Sequence, residues 1–183
     1  MSLLSAGRQE NDVFGPEQSS RINLDIRVGA AEGTAPTALA AFDAALRALG
    51  VGDVNLIRLS SVIPPGSSVS VNNSTLAQHA EWGDRLYCVY AEQHASERGQ
   101  WACAGIGWTR KTDGDGSGLF VEHHGHSEEE VSAAIGLSLD DMTRARGGEF
   151  EPIEMHISSV RCDGAPVCAL VLASYASEGW ARS

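Results

Sequence analysis

Asn55-Leu56-Ile57-Arg58-Leu59-Ser60-Ser61-Val62-Ile63-Pro64-Pro65-Gly66 is the most informative stretch of the chain. The run from Val54 to Ile63 reads as a strand, and Pro64-Pro65-Gly66 breaks it. A serine pair alone says little. Here it closes an apolar strand just before a rigid Pro-Pro, and the residue preceding each proline is held extended. That restriction can fix a strained backbone at the serines. No Gly-x-Ser-x-Gly surrounds them, so a hydrolase nucleophile is not indicated. Read from the residues alone, a plain strand end with satisfied hydroxyls stays open.

Upstream, Ile22, Leu24, Ile26 and Val28 alternate with polar residues, which is the strand period, and Gly29 and Gly33 read as a turn. A helix is expected over about Pro36 to Leu49, with Thr34 as its cap, Pro36 in its first turn and Gly50 ending it. Leu39, Phe42, Leu46 and Leu49 are assigned to its apolar face. Asp43 falls on the edge of that face, so its carboxylate is drawn partly inward, or else it is a rim residue that pairs with an arginine. Residues 1–20 are polar and read as a mobile tail ahead of a single domain, 21–183.

Downstream, Arg85 to Glu92 and Trp101 to Trp108 read as strands joined by a hairpin loop at Ala95-Ser96-Glu97-Arg98-Gly99. Gly118 to Glu122 is a short strand. A second helix starts at Ser127, where Ser127 and Glu130 form a capping box, and ends at Gly147. Ile153 to Arg161 and Pro166 to Ser174 are strands joined at Asp163-Gly164. About six or seven strands and two helices with hairpin-like links give the fold class α+β, a layered sandwich of mostly antiparallel sheets flanked by helices, αββα in order.

The chain has 183 residues, 43% of them hydrophobic, and a formal net charge of -11. That length suits one domain, and the charge argues against nucleic acid or an anionic membrane as partner. It is compatible with a cationic small molecule, although simple solubility is the ordinary reason for such a charge. No stretch approaches the ~20 apolar residues of a membrane span, and Met1 to Arg21 has no signal-peptide core; a cytoplasmic protein is expected. Cys88, Cys103, Cys162 and Cys168 form no CxxC pair, so buried free thiols are expected rather than a zinc site. His123, His124 and His126 are clustered, but consecutive strand residues face opposite ways, and no metal is expected. The single lysine, Lys111, sits in a hydrophilic Gly/Asp loop, a poor place to hold pyridoxal phosphate. If the protein does carbanion chemistry on an amino acid, its carbonyl comes from elsewhere.

Four segments together, Ala41-Phe42-Asp43, Gly52-Asp53-Val54-Asn55-Leu56, Ser60-Ser61-Val62-Ile63-Pro64-Pro65 and Gly118-Leu119-Phe120-Val121-Glu122, resemble the pyruvoyl-dependent arginine decarboxylases over about Ile22 to Ser174. The resemblance implies self-cleavage between Ser60 and Ser61, started by attack of the Ser61 hydroxyl on the Ser60 carbonyl. Position 61 would become a pyruvoyl group, the only cofactor implied. L-arginine would bind it as a Schiff base, lose carbon dioxide and leave as agmatine. By the same resemblance Asn55 lies near the cleavage site, where an amide could hold the attacked carbonyl or the oxyanion that develops on it, Glu122 returns a proton to Cα, and Asp43 binds the substrate guanidinium. Leu39, Leu46, Gly52 and Val54 correspond to pocket-lining positions. A homotrimer of cleaved protomers, with sites between subunits, is implied as well. The sequence departs mildly from the family at Val62, often isoleucine, and Ser67 to Gly83 has no clear match. Lysine or ornithine as substrate stays open, as does a binding or assembly protein that kept the fold and never matures.

Overall fold

A computed structural model gives the structure of residues 23–72, 76–77, 80–112 and 115–180. The expected mobile tail, residues 1–20, lies outside the described residues. The elements run β1 (Asp25–Thr34), α1 (Ala38–Ala48), β2 (Asn55–Arg58), β3 (Val62–Ile63), β4 (Ser68–Val71) and β5 (Arg85–Ala95). They continue with β6 (Trp101–Arg110), β7 (Gly118–Gly125), α2 (Glu128–Arg146), β8 (Glu154–Arg161) and β9 (Val167–Glu178).

The strands form two sheets, a five-stranded one ordered β2-β5-β9-β1-β4 and a four-stranded one ordered β3-β7-β6-β8. The sheets face each other across a core that includes Ile26, Val89 and Val171 from the first and Ile106, Trp108 and Phe120 from the second. The outer face of the first sheet is covered by α1, through Ala45 and Leu46 on Leu170 and Leu172. On the second sheet α2 sets Val131, Ile135 and Leu139 against Cys103, Leu119 and Val121. The expected αββα layering is therefore present. Most pairings are antiparallel, but β1 with β4 and β2 with β5 are parallel.

Several local expectations are corrected. Gly29 and Gly33 are not a turn; β1 runs through both to Thr34 and pairs with β9 along its length. Gly33 serves close approach instead, since a Cβ there would stand 1.9 Å from the Ala41 carbonyl oxygen in α1. Thr34 therefore ends a strand, Thr37 caps α1 by accepting from Ala40 N–H at 3.2 Å, and Pro36 precedes the helix. Ala41 and Ala45 join Leu46 and Leu49 in the buried face, and Leu39 stays 77% exposed rather than joining it. The segment 95–99 is not a hairpin loop. It carries the chain from β5 in one sheet to β6 in the other, and Asp163-Gly164 does the same between β8 and β9. The in-sheet hairpin is β6–β7. The unmatched polar segment contributes β4, a strand that pairs with β1.

The second helix follows its end signals closely. Ser127 caps it, accepting from Glu130 N–H at 3.1 Å, and the Glu130 carboxylate reaches back to His126 N–H at 3.0 Å. Gly147 ends it with a φ of 67°. A Cβ on Gly107 would come within 2.1 Å of Ile135, so glycine in β6 lets α2 lie flat on the sheet. All four cysteines are free and buried. No helix among the described residues is long and apolar enough to cross a membrane.

Candidate active site at the Ser60-Ser61 crossover

The run expected as one strand is two. Asn55–Arg58 belongs to the first sheet and Val62–Ile63 to the second, so Leu59-Ser60-Ser61 is the crossover between them. Its ends are tied: Leu59 N–H donates to the Cys88 carbonyl at 2.9 Å, and Phe120 N–H donates to the Ser61 carbonyl at 2.9 Å. The buried Tyr175 of β9 donates its hydroxyl to the Val62 carbonyl at 3.0 Å. Between these anchors Ser61 takes a φ of +66°, the one positive φ of a non-glycine among the described residues. L side chains other than Asn and Asp rarely adopt that region, and it carries a cost of about 1–3 kcal/mol when the surroundings impose it. The strain sits on the residue directly after the Ser60–Ser61 bond.

Strand alternation sets the second half of the site. In β7, Leu119 and Val121 pack toward α2, whereas Phe120 faces the other sheet. Glu122 shares the Phe120 face, and this brings its carboxylate to the crossover. The Ser61 hydroxyl donates to Glu122 Oε1 at 2.6 Å. With 14% of its side chain exposed, Glu122 has its pKa raised by burial, against the lowering by the Ser61 hydrogen bond and by the Arg58 charge. A carboxyl group so placed can take a proton from the hydroxyl and can hold one at a pH where an ordinary glutamate is ionised.

Arg58 and Tyr175 were not singled out from the sequence. The Arg58 guanidinium lies 4.8 Å from the centroid of the Tyr90 ring, donates to the Tyr90 carbonyl at 3.0 Å, and approaches Glu122 Oε2 to 4.0 Å. Nothing in local spacing marks either residue, since each acts on a group from a distant part of the chain.

Of the sequence-derived residues, the structure brings Ser60, Ser61 and Glu122 together. Asn55 is exposed, and its amide donates to the Gly83 carbonyl at 2.6 Å. Asp43 is not drawn into the interior, because α1 turns its alanine face to the sheet; its carboxylate is exposed and accepts from Arg47 at 2.8 Å. Leu46 is buried against the first sheet and Val54 packs beside it. Gly52 lies under Arg47, whose Cγ would be 2.4 Å from an added Cβ. The histidines are engaged separately: His123 with the Ser138 hydroxyl at 2.8 Å, and His126, whose Nδ1–H donates to the Trp101 carbonyl at 2.9 Å.

Comparison with known proteins matches residues 25–178 to the family model of pyruvoyl-dependent arginine decarboxylase. The chain is 31% identical over 157 residues to the protein of that name from Thermococcus kodakarensis, covering 79% of this chain and 90% of the relative. The Pyrococcus horikoshii protein of the same name is 31% identical over 160 residues, covering 80% and 91%. That of Halobacterium salinarum is 42% identical over 98 residues, covering 53% and 58%.

Proposed function

The chain belongs to the pyruvoyl-dependent arginine decarboxylase family, and on that premise we propose that it cuts itself between Ser60 and Ser61 and then converts L-arginine to agmatine and carbon dioxide. The observation that carries the reading is the hydrogen bond from a strained Ser61 to a half-buried Glu122.

In the cut, Glu122 takes the Ser61 proton as Oγ attacks the Ser60 carbonyl. The C–N bond gives way to a C–O ester, and the proton passes to the freed amine of residue 61. Loss of the Cα proton then expels the Ser60 carboxylate and leaves a dehydroalanine at position 61. Its imine tautomer takes up water and releases ammonia. Serine is required because one oxygen is nucleophile first and leaving group second. The site fits the resulting pyruvoyl group: Ser61 supplies its atoms, and Phe120 N–H already holds the carbonyl that stays attached to Val62. That group supplies an electrophilic ketone able to accept the electron pair freed as carbon dioxide departs.

The remaining work belongs to side chains. Glu122, facing position 61, delivers the proton to the substrate Cα. Asn55 orients the carbonyl attacked in the cut, and Asp43 holds the substrate guanidinium through two parallel hydrogen bonds. Leu39, Leu46, Gly52 and Val54 shape the space between these ends. Asp43 and Leu39 are exposed on α1, which supports a homotrimer in which a neighbouring copy completes each site. Release of labelled carbon dioxide from carboxyl-labelled L-arginine, with lysine and ornithine alongside, tests the reading. Release from arginine foremost is expected; none from any of the three would remove it.

A further inference from the structure

Arg58 ends the edge strand β2 at the mouth of the crossover, and its guanidinium has three engagements at once. It lies over the Tyr90 ring, its centroid distance being 4.8 Å, and donates to the Tyr90 carbonyl at 3.0 Å. The same nitrogen stands 4.0 Å from Glu122 Oε2, while Glu122 Oε1 accepts from Ser61. Tyr90 is itself backed by Phe42 of α1, with ring centroids 6.2 Å apart. A guanidinium has a flat face for stacking and edge donors for hydrogen bonds, and Tyr90 uses both. Arg58 is thereby kept near the carboxylate without closing on it, and Oε1 is left to Ser61.

We propose that Arg58 is a positioning residue for Glu122, a fixed positive charge pinned by Tyr90 that orients the carboxyl group toward position 61 and sets when it holds a proton. The other groups around Glu122 leave this task to Arg58. The Tyr175 hydroxyl is committed to the Val62 carbonyl and is pushed far up by burial. Ile106, the register partner in β6, is apolar; His124 lies two residues on along β7, and His156 lies across Ile106 in β8. Burial lowers the pKa of His156, which favours its neutral form. Cys88, near Arg58, is pushed up to about 12 and is neutral.

The inference concerns the site of the function proposed above, but its test needs neither cleavage nor turnover. In the full-length Ser61→Ala chain, the Glu122 side-chain carboxyl is followed by carbon-13 NMR as pH is varied. Adding Arg58→Met removes the charge that favours ionisation, so the midpoint rises, by about one pH unit given the partial exposure of the arginine. Arg58→Lys restores most of the shift, and Tyr90→Leu, which removes the platform, gives a smaller rise in the same direction. In mature enzyme, Arg58→Met moves the alkaline limb of kcat upward with little change in KM. An unmoved or lowered midpoint in both Arg58→Met and Tyr90→Leu would overturn the proposal. A protein that never cuts itself would sink the functional reading and leave this titration standing.

Discussion

The Ser61 hydroxyl donates to Glu122 Oε1 across 2.6 Å, joining the crossover between the sheets to the inner face of β7. The two residues lie 61 positions apart in the chain, and their contact serves both halves of the proposed chemistry. Before the cut it gives the nucleophile a proton acceptor. Afterwards it leaves a carboxyl group facing the residue on which the substrate reacts.

Glu122→Gln keeps the shape and loses the proton. Both self-cleavage and turnover are expected to slow, turnover by on the order of a hundredfold or more, with KM little changed. Burial raises the Glu122 pKa in the wild type, so the protonated donor persists above the ordinary glutamate range, and kcat falls as pH rises through the raised value. Stopped assays across pH on cleaved protein measure this. Wild-type turnover in cleaved Glu122→Gln would assign the proton elsewhere.

Tyr175→Phe removes the hydroxyl that holds the Val62 carbonyl and leaves the ring contact with Phe120, 6.0 Å between centroids, in place. The lost hydrogen bond costs about 1 kcal/mol of stability. Because it anchors the carbonyl of Val62, the residue directly after Ser61, cleavage is expected to slow by more than stability alone explains. Denaturant titration of the uncut Ser61→Ala background, set beside the cleavage rate, separates the two. An unchanged cleavage rate would reduce Tyr175 to a packing residue.

Asp43 offers a clean test of substrate choice because its bond to Arg47 is an exposed helix pair, worth about 0.3–0.5 kcal/mol. Asp43→Asn should therefore fold and cut itself normally. If Asp43 holds the guanidinium in a desolvated site, its loss costs about 2 kcal/mol or more, roughly thirtyfold in kcat/KM for arginine. Carbon dioxide release from arginine, lysine and ornithine by both proteins decides it. An unchanged arginine rate would leave Asp43 as a helix-rim carboxylate.

The architecture rests on glycines that admit the helices closely. Gly33→Ala places a Cβ 1.9 Å from a backbone oxygen of α1, which cannot rotate away. A loss of about 3 kcal/mol, the upper end of overpacking costs, is expected in denaturant unfolding. A neutral result would mean that α1 is free to lift from β1.

How far the sequence carried the reading depended on whether a signal was local. The α2 ends were legible because Ser127, Glu130 and Gly147 act within one turn of where they stand. The serine pair was legible as a place of backbone strain because Pro64-Pro65 stiffens the chain just beyond it, but the break between two strands there was not. Gly29 and Gly33 misled, since a glycine needed for close approach, of the Asn72 carbonyl at Gly29 and of α1 at Gly33, looks the same in sequence as one needed for a turn. The strand β4 went unread because Ser68–Val71 is only four residues long and takes its place from β1, more than forty residues upstream in register (Asp25 with Ser68). Arg58 and Tyr175 went unread for the same reason, their partners lying 32 and 113 residues away.

The proposed chemistry turns on a reactive carbonyl that this chain makes for itself at position 61. Intact-mass spectrometry with denaturing electrophoresis tests it most directly on the purified wild type and on Ser61→Ala. Two chains are expected from the wild type, residues 1–60 and residues 61–183, the second without a free amino terminus and with a ketone that reacts with hydrazine. Ser61→Ala should remain one chain. A wild-type protein that stays a single chain with an unmodified Ser61 after prolonged incubation would contradict it.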